Sequence, residues 1–200
     1  MKELPDSIKK TFFDMMSGLI TIEDFEQWVY GSEELENSLS DDEYLALMSL
    51  NYKKSGAKYE LFNLLQTFTS ISEYETLKLA RLLNQAKIRD IKLPGTLEQF
   101  YDLYCDGYDF LRKLGLGLGL SMYVLPAPYK AEHWSELSES ELKDLINRIP
   151  PHLENEVDEV LKWLEKGKIV LTGIKDVYNH HEFIDNRSDA EKAAISQYGF

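Results

Sequence analysis

Cysteine is almost missing from this chain: Cys105 is the only one in 200 residues, so no internal disulfide can form. Basic side chains are outnumbered, 22 Lys and Arg against 35 Asp and Glu, which leaves a formal charge of −13. A field of that sign repels phosphate, so nucleic acid and anionic membrane are excluded as partners and a basic protein surface is favoured. Long apolar runs are absent too. The longest uncharged stretch, Leu114–Pro128, is shorter than the roughly 20 residues that cross a bilayer and is broken by three Gly and two Pro. The opening M-K-E-L-P-D-S-I-K-K has no apolar signal-peptide core, and with a lone cysteine the cytoplasm is the expected address.

Catalytic signatures are lacking as well. The four histidines, His133, His152, His180 and His181, form no His-Glu-x-x-His helix, and neighbours such as His180 and His181 on a strand point to opposite faces, so no metal is expected. Gly115–Gly119 reads Gly-x-Gly-x-Gly, has the wrong spacing for a dinucleotide loop, follows a helical pattern and precedes no P-loop lysine; no cofactor is expected. Ser49 and Ser121 lack a Gly-x-Ser-x-Gly elbow. Cys105, between Tyr104 and Asp106, has neighbours that oppose a thiolate and reads as a buried structural thiol. No catalytic residue can be named, and the chain reads as a non-enzyme.

What is present is a globular composition, 44% hydrophobic and 12% aromatic, in a chain long enough to bury about 70% of its unfolded surface. Apolar residues recur at helical spacing over most of it. The expected fold is mainly α, a bundle-like array of helices with a small antiparallel β element in the C-terminal part. Residues 1–114 read as a helical part, 115–128 as a Gly/Pro-rich connection leading into a short extended segment, and 129–200 as mixed α with a β ribbon, packed as one globular unit with the first part. Ser40 with Glu43 and Ser138 with Glu141 are capping boxes, Thr21 with Asp24 a shorter version, and Gly18 is placed to end the first helix. Ser72 with Glu75 is expected to open a further helix, and Ser188 to cap a final one from Asp189. Pro94-Gly95 reads as a break before a helix capped by Thr96. Ile169–Thr172 is expected to pair with 177–178 and 182–184, and Tyr198–Phe200 to fray.

The stretch that organises the rest is Thr21 to Tyr52. Between Glu23 and Glu43 it carries nine acidic residues and no Lys or Arg, with Phe25, Trp28, Leu35, Leu39 and Tyr44 as apolar anchors. Carboxylates in a first helical turn gain a few tenths to about 1 kcal/mol from the macrodipole, so Asp41, Asp42 and Glu43 have a structural explanation. As a surface, the candidate contacts are Glu23, Glu26, Glu33, Glu34, Glu36, Asp41 and Asp42, with Trp28 or Tyr30 as an aromatic anchor. A second acidic region runs from Glu132 to Glu165, with ten acids against Lys143, Arg148 and Lys162.

The segments I-E-D-F-E-Q-W-V-Y, L-E-N-S-L and D-E-Y-L-A-L-M-S-L-N-Y resemble the N-terminal part of small acidic bacterial immunity proteins of polymorphic and contact-dependent toxin systems. The resemblance implies a cytosolic inhibitor that covers a toxin's active site or substrate channel without doing chemistry. A nuclease-type toxin would be the basic partner, since it must hold phosphates. Two other readings stay open. One is a small carboxylate- or metal-dependent hydrolase near Asp185 and His181; the other is a structural or regulatory helical protein whose acids only solvate it. Asp185 and Arg187 read as an internal ion pair.

Overall fold

The computed structural model describes residues 4–196, and the chain divides into two compact units, residues 1–74 and 75–200. The division falls between Tyr74 and Glu75, and the 115–128 stretch lies wholly inside the second unit. The protein is mainly α, with one small antiparallel sheet in its C-terminal part. The expected fraying of Tyr198–Phe200 lies outside the described residues.

The first unit is built from α1 (Asp6–Met16), α2 (Ile22–Gly31), α3 (Glu33–Ser38), α4 (Asp41–Met48), α5 (Ala57–Phe68) and the start of α6 (Ile71–Lys87). α1 ends as its glycine foretells. Gly18 sits at φ +68°, its N–H reaches the Met15 carbonyl at 3.0 Å and the Leu19 N–H reaches Asp14 at 2.8 Å, which closes a Schellman motif. Thr21 accepts from the Asp24 N–H at 3.1 Å to start α2, and the Ser40–Glu43 capping box starts α4. α3 escaped the periodicity reading because six residues are too few to show a period; Ser32 caps it through the Leu35 N–H at 3.2 Å. α6 is capped by Ser70, which accepts from the Glu73 N–H at 3.3 Å, two residues before the expected Ser72. Fully buried Ile8, Phe12, Phe25, Val29, Leu35, Leu47, Leu61 and Leu65 form the core of this unit.

The second unit continues α6 and adds α7 (Leu93–Cys105), α8 (Arg112–Leu114), α9 (Leu120–Tyr123), α10 (Glu139–Arg148), α11 (Leu153–Glu165), β1 (Ile169–Lys175), β2 (His181–Asp185) and α12 (Asp189–Ser196). Pro94 and Gly95 do not break the chain before α7; they form its first turn, where proline loses no hydrogen bond, and Thr96 lies inside the helix with its hydroxyl on the Lys92 carbonyl at 3.1 Å. Of the extended segment expected after Gly119, the first part is helical instead, as α9 ends only at Tyr123. Gly115–Gly119 forms a π turn joining α8 to α9, and Gly115 and Gly119 are contact residues rather than hinges: a Cβ at Gly115 would meet the Phe100 carbonyl at 2.6 Å, and one at Gly119 would meet the Leu97 carbonyl and, at 2.9 Å, the Tyr101 Cβ. In the sheet, Ile169 opposes Asp185 and Leu171 opposes Phe183, and a bulge containing Gly173 at φ +72° precedes the Lys175–His181 pair. Val177 and Tyr178 fall in the turn and not in a strand. Leu83, Leu93, Leu97, Phe100, Leu111, Leu153, Val157 and Leu171 are the fully buried centre of this unit.

Candidate functional site

The three consecutive helices α2, α3 and α4 turn their apolar residues inward, burying Ile22, Phe25 and Val29 from α2, Leu35 from α3, Leu39 beyond it and Leu47 from α4. Tyr44 ties α4 to α2 by donating to the Val29 carbonyl at 3.3 Å. Most of the charged side chains on these helices are left on the outer face, and all of them are acids. Glu23, Glu33, Glu34, Glu36, Asp41 and Asp42 are exposed, and Glu26 is half-buried. Glu34 accepts from the Ser7 hydroxyl at 2.8 Å and Glu26 from the Tyr30 hydroxyl at 3.5 Å.

None of these seven carboxylates is in an ion pair with another described residue; the ion pairs within this unit are Lys9–Glu73, Lys10–Asp14 and Lys54–Glu60 among the described residues. The second acidic region differs. Six of its ten acids meet a cation: Glu139 with Lys143, Asp144 with Arg148, Glu154 with Arg89, Glu156 and Glu159 with Lys113, and Asp158 with Lys87. Such pairs add little stability where they are exposed. They do neutralise the local field, and the two acidic stretches that look alike as sequence are therefore unlike as surfaces.

The two aromatic candidates part company. Trp28 is half-buried, its ring edge-on to Phe12 at 5.9 Å and against Phe25 at 5.4 Å, so it belongs to the floor of this surface. Tyr30 is 50% exposed, lies edge-on to Tyr52 at 6.5 Å and is the ring available for contact. Tyr52 is buried and donates to the Leu47 carbonyl at 2.9 Å; burial, with Tyr30 and Glu26 nearby, pushes its phenol well above the usual tyrosine range.

A cavity of about 550 Å³ opens beside this run. Met15, Met16 and Ile20 line it from the end of α1 and the turn after it, Phe62 and Leu65 from α5, and Glu23, Lys58 and Asn63 supply polar groups. Sequence reasoning missed it. The only trace was the adjacent pair Met15-Met16 followed by a left-handed glycine, and a partner helix forty residues on cannot be read from that.

The remaining chemistry-bearing residues are structurally engaged. Arg187 grips Asp185 through two nitrogens at 2.9 and 2.8 Å and lies 4.5 Å over the Trp163 ring, the internal pair expected. His181 stacks on buried Tyr108 at 4.7 Å, and burial followed by Lys175 lowers its pKa. Asp176 accepts from the Tyr178 and His180 N–H groups at 2.8 Å and shapes the hairpin turn. Cys105 is exposed and not buried, because it is the last residue of α7 and lies past the stripe that packs. Among the described residues, no group of three or more His, Cys, Asp and Glu is arranged to hold a metal.

One constellation was not anticipated. His133 Nδ1 lies 2.7 Å from the Ser135 hydroxyl and its Nε2 lies 3.0 Å from Glu98, whose other oxygen accepts from the Trp134 indole at 3.1 Å. The order serine, imidazole, carboxylate is that of a nucleophile relay. Yet Nδ1 also accepts from the Ser135 N–H at 3.3 Å, so its single lone pair already serves as the cap of a one-turn 3₁₀ helix, Trp134–Glu136. The group fastens that turn to α7, where Gly95 leaves room for the indole. Among the described residues, no helix is long and apolar enough to cross a membrane. No known protein family, curated protein or solved structure matches the chain.

Proposed function

We propose that α2, α3 and α4 present a binding surface for a basic protein and that the protein acts by contact, without turnover. The carrying observation is the difference between the two acidic regions: the carboxylates of 23–42 have no cation of their own among the described residues, while six in 132–165 do. Unpaired carboxylates over an apolar floor speed encounter with a cationic partner, and close charge pairs across an interface are worth about 1.5–7 kcal/mol. Exposed Tyr30 supplies a rigid ring for the centre of such a contact. The resemblance of this segment to immunity proteins points the same way, toward a cytoplasmic inhibitor that covers the active site or substrate channel of a nuclease-type toxin.

The hydrolytic alternative rests on Asp185 and His181, which are occupied by Arg187 and Tyr108, and it gains no support from them. The test is retention of a basic protein from the native cell extract at low ionic strength, followed by its affinity for a variant carrying Glu33→Lys, Glu34→Lys, Asp41→Lys and Asp42→Lys. The expected result is a loss of at least tenfold, about 1.4 kcal/mol, that shrinks as salt is raised. Unchanged affinity at low salt would mean the surface is misassigned.

A further inference from the structure

The cavity between the α1–α2 turn and α5 is outside every role assigned so far, and its wall chemistry is specific. Its volume of about 550 Å³ falls within the range of roughly 300–1,000 Å³ in which proteins hold ligands or anchor groups. The walls are Met15, Met16, Ile20, Phe62 and Leu65. Unbranched thioethers adapt to the shape of whatever enters, and aromatic rings sit well against sulfur. At the lip, Tyr59 is 72% exposed. Glu23 and Lys58 both line the cavity, and neither is in an ion pair with another described residue.

Glu23 also belongs to the acidic run, which makes the cavity continuous with that surface. An occupant must therefore satisfy an apolar interior and, in the same lining, a carboxylate and an ammonium. A free hydrocarbon answers only the first, and a polycation only the second. A peptide segment answers all three: a large apolar side chain enters, a neighbouring Lys or Arg meets Glu23, and a backbone carbonyl accepts from Lys58. We infer that this cavity is the anchor pocket for an apolar residue flanked by cations on the protein partner. The inference rests on the reading of the first unit as a binding surface and names the recognition element of that surface. Hot-spot residues sit in pockets of this kind, ringed by contacts that exclude water.

The test uses the full-length protein with ¹³C-labelled methionine methyl groups and three blocked tripeptides: acetyl-Lys-Trp-Lys-amide, acetyl-Lys-Ser-Lys-amide and acetyl-Glu-Trp-Glu-amide. Saturable shifts of the Met15 and Met16 methyl signals are expected with the first, and much weaker ones with the other two. Asn63→Trp, at an exposed position on the lip, should abolish the response with the helical circular dichroism unchanged. Glu23→Gln should weaken it roughly two- to fivefold, the share of an exposed charge pair. Equal shifts from the serine peptide, equal binding of the acidic one, or no effect of Asn63→Trp each overturn the inference. The fourfold reversal at 33, 34, 41 and 42 separates the two ideas. If it leaves partner affinity intact while the methyl response persists, the surface assignment falls and the pocket stands; if it weakens the partner and the methyl groups never respond, the pocket alone falls.

Discussion

Glu191 holds three contacts at once. Its carboxylate accepts from Lys168, from the Ser188 N–H at 3.0 Å and from the Ser188 hydroxyl at 2.8 Å. Lys168 is the largest cause and the serine cap follows, and together they pull the carboxyl pKa from 4.5 to about 2. The sign of the linkage follows: a pKa lowered on folding gives stabilisation that is full above about 4.5 and fades as pH falls toward about 2, because the unfolded chain takes up the proton first. A carboxyl ¹³C titration should place the Glu191 midpoint near 2, and Ser188→Ala should raise it toward the ordinary value. A midpoint near 4.5 in the unsubstituted protein would mean that the Lys168 and Ser188 contacts do not hold in solution. Part of this was legible beforehand, since Ser188 reads as a helix cap from sequence. Lys168 lies 23 residues away and is brought in by the sheet, so the larger cause was not.

Helix starts were the most legible elements, because a cap is a local bargain between a side chain and the next three amides. The Ser40 and Ser138 boxes and the Gly18 terminator could be read directly. The glycine run at 115–119 could not, because its reason lies in α7, and a glycine needed for contact looks in sequence like a glycine needed for a turn. The three glycines separate under substitution. Gly115→Ala and Gly119→Ala drive a methyl into the Phe100 carbonyl and the Leu97 carbonyl respectively and should cost about 1–3 kcal/mol, read as a lower urea midpoint. Gly117 is exposed, with the Arg112 carbonyl its nearest neighbour at 4.0 Å, so Gly117→Ala should be neutral or stabilise by up to about 1 kcal/mol, the helix preference of alanine over glycine. Equal losses at all three positions would show that the run serves as a flexible connection.

Over the whole molecule the charge is uneven. Residues 1–74 hold 14 acidic and 6 basic side chains, a net −8, while residues 75–200 hold 21 and 16, a net −5, although they make up the longer part. Composition shows that imbalance, but the pairing that sharpens it depends on tertiary placement: Lys87 meets Asp158 and Arg89 meets Glu154 from far along the chain. A cationic probe should therefore discriminate between two sets of acids that are equal in number. With a lysine decapeptide at about 10 mM salt, where screening extends to about 30 Å, reversing Glu33, Glu34, Asp41 and Asp42 to lysine should weaken binding more than reversing Glu139, Asp144, Glu156 and Asp158. The second set loses charge as well, but its removal frees Lys143, Arg148 and Lys87, and takes from Lys113 one of its carboxylates, at positions already near neutrality. At about 0.5 M salt the two variants should converge, since surface charges are then screened over a few ångströms. Equal weakening by both sets at low salt would mean that net charge alone governs attraction, and the first unit would hold no privileged place in it.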